Sequence, residues 1–299
     1  MVFVLADFMV NVVLFIIMVG VGLTIEFKDF KHIFLVPREL ITGLVLQLIA
    51  LPLLAFFVAE ISGLSNPIKA GIVILAACPG GTTSNFMSYL SNAKTSLSIA
   101  LTSVNSILIL ISIPFITHFV LSRYLQVDAS ITLPFMQMVL SILMVVLIPA
   151  LVGMFIRRWK HKLAVKLQNP IKITSITLML LFFGVKFFAE SSLGGSQITP
   201  TAILEIIPFV LILHLLALAT GFFVSLLMKF DNRSAITLGI EVGMQNTTLA
   251  LLITSAVLSN DLLSYPALVY AMFSFLTTLA FAFGTKYMLS KTRIPFEQR

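Results

Sequence analysis

Charge is what this sequence has least of. Only 10% of its 299 residues are Asp, Glu, Lys or Arg, while 59% are hydrophobic. A soluble domain carries about 25% charged and about 45–50% apolar residues. A soluble fold of this length could not cover its surface with so little charge. A soluble enzyme, a disordered chain and a nucleic-acid binder are therefore excluded, and lipid is the solvent for most of the chain. Cysteine is almost missing too. The single Cys78 rules out an intrachain disulfide framework and a multi-cysteine zinc site. There is no H-E-x-x-H motif, no paired-Asp cluster and no Ser/His/Asp set at one depth, so a membrane-embedded enzyme lacks its machinery. No repeated pore motif supports a channel.

Long hydrophobic runs fill the space that charge leaves. A helix crossing about 30 Å of hydrocarbon needs roughly 20 apolar residues. Nine stretches qualify: 3–25, 39–59, 68–90, 96–121, 133–156, 171–188, 201–228, 234–258 and 265–289. Turn-type pairs such as Ser62-Gly63, Asn66-Pro67, Gly194-Gly195 and Asn260-Asp261 mark short connections. The expectation is an all-α polytopic membrane protein forming one transmembrane domain over residues 1–299. With the N-terminus outside, all of the 19 basic residues except Lys69, Arg123 and Lys186 fall on the cytoplasmic side. That bias places the chain in the plasma membrane with its C-terminus inside, and it favours an odd number of spans. The basic run 157–166 then meets anionic headgroups. The first span has no basic region before it and no small-residue cleavage site after it, so it reads as retained.

Spans 3 and 8 both carry a polar, glycine-bearing interruption near the middle. Span 3 reads Cys78-Pro79-Gly80-Gly81-Thr82-Thr83-Ser84-Asn85, and span 8 reads Glu241-Val242-Gly243-Met244-Gln245-Asn246-Thr247-Thr248. They lie five spans apart and cross the membrane in opposite senses, which points to an inverted repeat pairing spans 1–4 with 6–9. Pro79 removes a donor and Gly80 and Gly81 loosen the backbone, so the helix opens there and restarts over 82–85. A simple structural proline kink is the plainer alternative.

Glu241 is the sharper signal. Asp7, Glu39, Glu60, Glu190 and Glu205 fall near span ends, whereas Glu241 lies deep inside one with no Lys or Arg at comparable depth. A carboxylate in hydrocarbon costs several kcal/mol unless it is paired, protonated or bound to a cation. Gln47, Ser84, Asn85, Ser98, Thr102, Ser103, Gln245 and Asn246 supply neutral oxygens, and Ser98 and Thr102 share a helix face. One carboxylate among neutral oxygens suits Na⁺ better than Mg²⁺ or Ca²⁺. A protonated Glu241 bonded to a neighbouring helix is the structural alternative. His214, mid-span, reads as a neutral histidine bonded between helices in preference to a proton relay.

Three blocks resemble the bile acid:sodium symporter family, which includes bacterial homologues of the intestinal and hepatic bile acid transporters. They are 43–52 with Gln47, 78–102 with CPGGTTSN and SLSIALTS, and 241–250 with EVGMQNTTLA. The resemblance runs along essentially the whole chain. It implies a core bundle (39–121 and 201–290) holding two broken, crossing helices, and a panel bundle (1–38 and 133–190). It also implies two sodium ions. Ser84, Asn85, Ser98, Thr102 and Glu241 would form the first site. Gln47, Glu241, Val242, Met244 and Gln245 would form the second, with Val242 and Met244 offering carbonyls. Thr82, Thr83, Asn246 and Thr247 are the implied substrate contacts. Thr83 departs from the family's small Ala, and Phe273 aligns near a His found in some bacterial members.

The expected function is sodium-coupled symport of an organic anion, bile-acid-like or a small carboxylate, by alternating access. The expected partners are that anion and membrane lipid, with no nucleic acid and no obligatory protein partner. A proton-coupled or uncoupled carrier of the same fold is the alternative, and a membrane-embedded enzyme the remote one.

Overall fold

The computed structural model describes residues 37–125, 148–189, 195–258 and 260–291, with isolated positions at 15, 16, 19, 20, 23 and 144. Most of the first expected span, the fifth before residue 148, and Asp7, Lys28, Lys31, Glu190, Gly194, Arg293 and Arg299 lie outside the described residues. Among the described residues every regular element is helical, and extended backbone pairs only at an isolated antiparallel bridge between Pro79 and Gln245.

Helix α1 (Pro37–Ile61) opens on a proline, whose missing N–H would be unpaired there anyway, and places Glu39 at the positive end of the dipole. Pro52 cannot donate to the turn behind it. Just before it the helix widens into a π-turn at Leu46–Ala50, where Leu51 N–H donates back to Leu46 O. Gln47 sits in that turn. Ile41, Val45, Ile49, Leu53, Phe57 and Ile61, every fourth residue, are exposed along one face. Leu40, Leu51, Ala55 and Ala59 are buried on the other. An uncovered apolar stripe of this length is stable against lipid tails, which are as apolar as leucine.

The expected third span is two helices. α2 (Asn66–Ala76) ends at the break, and α3 (Thr82–Leu90) resumes after it. α4 (Thr95–Leu125) bends by 58° between Thr95–Ile109 and Ser112–Leu125. Pro114 leaves the Leu110 carbonyl without its usual donor at that point. α5 (Ile148–Trp159) and α6 (His161–Phe188) are separated only at Lys160. The basic run 157–166 is thus helical on both sides of one residue, and the sixth helix starts ten residues earlier than the apolar pattern suggests, at 161 against 171. Lys, Leu, Gln and Ala there are good helix formers, and Ala164 is buried, so propensity and packing extend the helix beyond the apolar run.

Thr199 caps α7 (Pro200–Leu227) by accepting from Ala202 N–H. The eighth span is also divided, into α8 (Asn232–Gly243) and α9 (Thr247–Leu251), the latter continued by a π-turn at Leu252–Val257. α10 (Asp261–Lys291) follows. Three helices among the described residues, Pro37–Ile61, Pro200–Leu227 and Asp261–Leu289, are long and apolar enough to cross a bilayer, and the bent α4 makes a fourth.

The two half-helices that lead into the breaks form the centre. Ala70 to Ala76 in α2 and Ser234 to Gly243 in α8 are buried without interruption. A helix buried on all sides must be surrounded by others. α7 approaches α8 so closely that a Cβ at Gly221 would stand 2.3 Å from Leu238 O. Charged groups tie the helix ends. Lys94 reaches Glu39 at 3.3 Å and Asp231 at 3.4 Å, and its N–H donates to Thr237 Oγ1. Arg123 pairs with Glu60 at the far end of α1, and Lys186 of α6 with Asp261 of α10 at 2.7 Å.

Candidate functional site

The two breaks meet. Asn246 N–H donates to Cys78 O at 2.8 Å, beside the Pro79–Gln245 bridge. Backbone groups released by unwinding each helix are therefore met partly by the other unwound segment, which is what a non-aqueous interior demands. Contact at the crossing is tight: a Cβ on Gly80 would lie 2.7 Å from Met244 O. Two half-helix C-termini (α2, α8) and two N-termini (α3, α9) thus converge on one region, with partial negative and positive charge respectively.

Glu241 lies on the last turn of α8 and is fully buried. Its Oε1 accepts from Ser98 Oγ at 2.5 Å, and the same hydroxyl oxygen stands 2.7 Å from Asn85 Oδ1. Ser98 has one hydrogen for two acceptor oxygens. Thr102 Oγ1 donates to Asn85 Oδ1 at 3.2 Å. The side chains of Ser84 and Thr102 also lie within reach of the carboxylate. On the other side Gln47 Nε2 donates to Glu241 O at 2.6 Å, and Asn105 Nδ2 donates to Gln47 Oε1. Gln245 Nε2 donates to Val242 O at 2.8 Å.

Acceptors outnumber hydrogens in this cluster. Glu241 Oε2, Gln245 Oε1 and Asn105 Oδ1 are all buried without a hydrogen-bond partner among the described residues. Each such oxygen costs about 1–3 kcal/mol, more where it is charged. None of the ion pairs seen among the described residues involves Glu241. No group of three or more His, Cys, Asp or Glu gathers among them either. The donor set is one carboxylate with neutral amide, hydroxyl and carbonyl oxygens. It fits a hard cation of low charge, which would satisfy several orphaned oxygens at once.

The residues singled out in the sequence assemble around the crossing. Gln47, Ser84, Ser98, Glu241, Val242, Met244 and Gln245 are buried, and Asn85 and Thr102 are half-buried. Thr83 is exposed at the start of α3, Asn246 and Thr247 are half-buried at the start of α9, and Thr82 opens α3. Asn246 Oδ1 accepts from Leu249 N–H at 3.0 Å, so its Nδ2 is the end left facing Gly81.

Three participants escaped the sequence reading: Asn105, Tyr270 and Thr277. Asn105 stands seven residues after Ser98 and three after Thr102, so helical spacing alone puts it on their face. Tyr270 and Thr277 carried no such signal. Tyr270 O–H donates to Gly243 O, the carbonyl before the break. His214 Nδ1 lies 2.7 Å from the Tyr270 oxygen, and Nε2 lies 2.7 Å from Thr277 Oγ1. Both ring nitrogens of His214 are thus engaged, one with Tyr270 and the other with Thr277, which holds the ring between α7 and α10.

Comparison with known proteins follows the same direction. Residues 11–197 match the profile of the Sodium Bile acid symporter family. The chain is 29% identical over 257 residues to the probable sodium/metabolite cotransporter BASS1, chloroplastic, of Arabidopsis thaliana, covering 85% of this chain and 61% of that protein. It is 30% identical over 254 residues to a BASS1 protein of the same description from Oryza sativa subsp. japonica, covering 84% and 59%. To the uncharacterized sodium-dependent transporter YocS of Bacillus subtilis (strain 168) it is 29% identical over 248 residues, covering 83% and 74%. The chain spans about three-fifths of the length of these plant relatives.

Proposed function

The chain belongs to the sodium bile acid symporter family, and from that premise we propose that it is a sodium-coupled symporter of an organic anion, bile-acid-like or a small carboxylate, working by alternating access in the plasma membrane. Nine spans cross the bilayer, N-terminus outside and C-terminus inside, and spans 1–4 repeat as 6–9 in inverted form. The core bundle (39–121 and 201–290) moves against the panel (1–38 and 133–190) about the crossing, and the protein is a carrier, not an enzyme. Ser84, Asn85, Ser98, Thr102 and Glu241 hold one sodium ion. Gln47, Glu241, Val242, Met244 and Gln245 hold the second, with Glu241 shared. The anionic group of the substrate rests on Thr82, Thr83, Asn246 and Thr247, near the positive ends of α3 and α9.

One observation carries this reading: the excess of buried acceptor oxygens around an unpaired Glu241 at the helix crossing. Sodium brings the two unwound segments together and so orders the neighbouring substrate contacts. Coupling follows because ions that bind the ordered crossing better also favour substrate there, and reciprocally. The relatives' printed descriptions, sodium/metabolite cotransporter and sodium-dependent transporter, support the same coupling ion.

Proton coupling through Glu241 is the rival. A proton on Glu241 turns one oxygen into a donor. It leaves Gln245 Oε1 and Asn105 Oδ1 as they were, so it meets less of the deficit than a metal cation does. The test is thermal unfolding and uptake of candidate anions, with Na⁺ varied against choline at fixed pH and then pH varied at fixed Na⁺. Sodium should raise the unfolding temperature and stimulate uptake, and Glu241→Ala should abolish both effects. Full sodium stimulation in that variant, or a response to pH alone, overturns the assignment.

A further inference from the structure

Asn105 has no role in the site as assigned so far. It is buried to 2% exposure on α4, one turn beyond Thr102, and its amide is pressed against that of Gln47. Gln47 is held in turn: its Nε2 is committed to Glu241 O at 2.6 Å, which fixes Oε1 as the atom facing Asn105. Two orientations of the Asn105 amide then exist, and each leaves an oxygen unmet. With Nδ2 donating to Gln47 Oε1, Asn105 Oδ1 is buried without a partner. With the amide turned over, two carbonyl oxygens face each other, an arrangement that needs a cation or a donor such as water between or beside them.

Position supports the same conclusion. Ser98, Thr102 and Asn105 recur at i, i+4 and i+7, so α4 presents a single line of three oxygens along the crossing. The first two serve the Glu241–Asn85 side, and the third stands against Gln47; Gln245 Oε1, in the break after α8, is likewise unpartnered. We propose that Asn105 is an oxygen ligand of the second sodium ion, so that α4 contributes to both ion positions and Gln47 and Asn105 bind that ion as a pair. This rests on the two-ion reading above. Nothing on the chain's surface is needed for it, and a buried water is the competing occupant, since water also satisfies a lone carbonyl.

Asp and Leu at position 105 separate an oxygen ligand from a mere brace for Gln47. Asp keeps an oxygen and loses the Nδ2 donor, whereas Leu loses both. Purified protein is titrated with NaCl against choline chloride at constant ionic strength, reading the unfolding temperature, and bound ²²Na⁺ is counted by equilibrium dialysis. Wild type should show sodium-specific stabilisation and two bound ions. Asn105→Leu should retain one ion and need about tenfold more sodium for half of the shift, or more. Asn105→Asp should bind two ions with a midpoint no higher than wild type. If Asn105→Leu titrates like wild type, a water or no ligand occupies the place and the proposal falls. It falls equally if Asn105→Asp is as weak as Asn105→Leu, because the donor is then what matters. Should Asn105→Leu fail to fold, the Asn105→Asp midpoint decides alone. A wild type without any sodium-specific shift instead sinks the sodium reading itself, a result distinct from either of these.

Discussion

A single hydroxyl hydrogen is shared between two acceptors at Ser98, and that shortage describes the chemistry of the whole cluster. The side chains of His214, Tyr270 and Thr277, by contrast, hold helices together with none of their polar atoms left without a partner. Around Glu241 three acceptor oxygens are left over, a deficit that the proposed cation would meet. Asp231 shows the opposite case, a carboxylate fully provided for. It caps α8 by accepting from Ser234 N–H at 2.9 Å and Ser234 Oγ at 2.7 Å, and faces Lys94. Burial pushes its carboxyl up, but the Ser234 bonds and the Lys94 charge outweigh this and hold it below the ordinary carboxylate value. A lowered folded value contributes stability that is fully present above the unfolded value of about 3.9 and is lost as pH falls through the folded one. The unfolding temperature of wild type should therefore drop on acidification below about pH 4, and Asp231→Asn should lack that part of the drop. At neutral pH Asp231→Ala should lose about 1 kcal/mol as a lost cap. An unchanged acid profile in Asp231→Asn would show that the cap is not titrating.

At the scale of the element, the breaks in α2–α3 and α8–α9 work only as a pair. Each unwound stretch exposes donors and acceptors that hydrocarbon cannot satisfy, and each supplies part of what the other lacks through Asn246 N–H and Cys78 O. Their approach depends on Gly80. Gly80→Ala places a methyl group against Met244 O, backbone that cannot swing away as a side chain end would. The expected cost is about 1–3 kcal/mol of stability. Because Met244 O belongs to the proposed second ion position, the sodium-dependent part of the unfolding shift should shrink more than the sodium-free unfolding temperature falls. Thermal unfolding with and without Na⁺ measures both. Equal losses in the two conditions would make Gly80 a packing residue and nothing more. Behind α8, Tyr270 and His214 occupy the Gly243 carbonyl, while the Val242 carbonyl accepts from Gln245 Nε2 at 2.8 Å.

At the scale of the whole molecule, the proposed coupling makes a prediction that no single residue does. If the two proposed sodium ions move with one monovalent anion, each cycle carries one net positive charge inward. An inside-negative potential then assists by about 2.3 kcal/mol per elementary charge for every 100 mV. Uptake into proteoliposomes should rise when a potassium diffusion potential makes the lumen negative and fall when it is reversed. Transport of a monovalent anion indifferent to potential would rule out the two-to-one ratio.

Much of this protein was legible in its sequence, and for one reason. Lipid is a severe local solvent, so each residue's polarity is judged almost position by position. Among the described residues the long apolar runs are helices, Pro79 with Gly80 and Gly81 and the run after Glu241 are breaks, and Glu241 is the one buried acid. Helix propensity was judged less well, as the early start of α6 at His161 shows, since good helix formers continue a helix beyond its apolar run. What only the tertiary structure decided is which groups meet. Asn246 and Cys78 are far apart in the chain, as are Gln47 and Glu241, or His214 and Thr277. No local rule ranks Asn105 above other polar residues of α4, or Tyr270 above other aromatics. Their importance comes from partners brought within hydrogen-bond reach by packing, and hydrogen bonding is short-ranged, so it is settled only once the helices are in place.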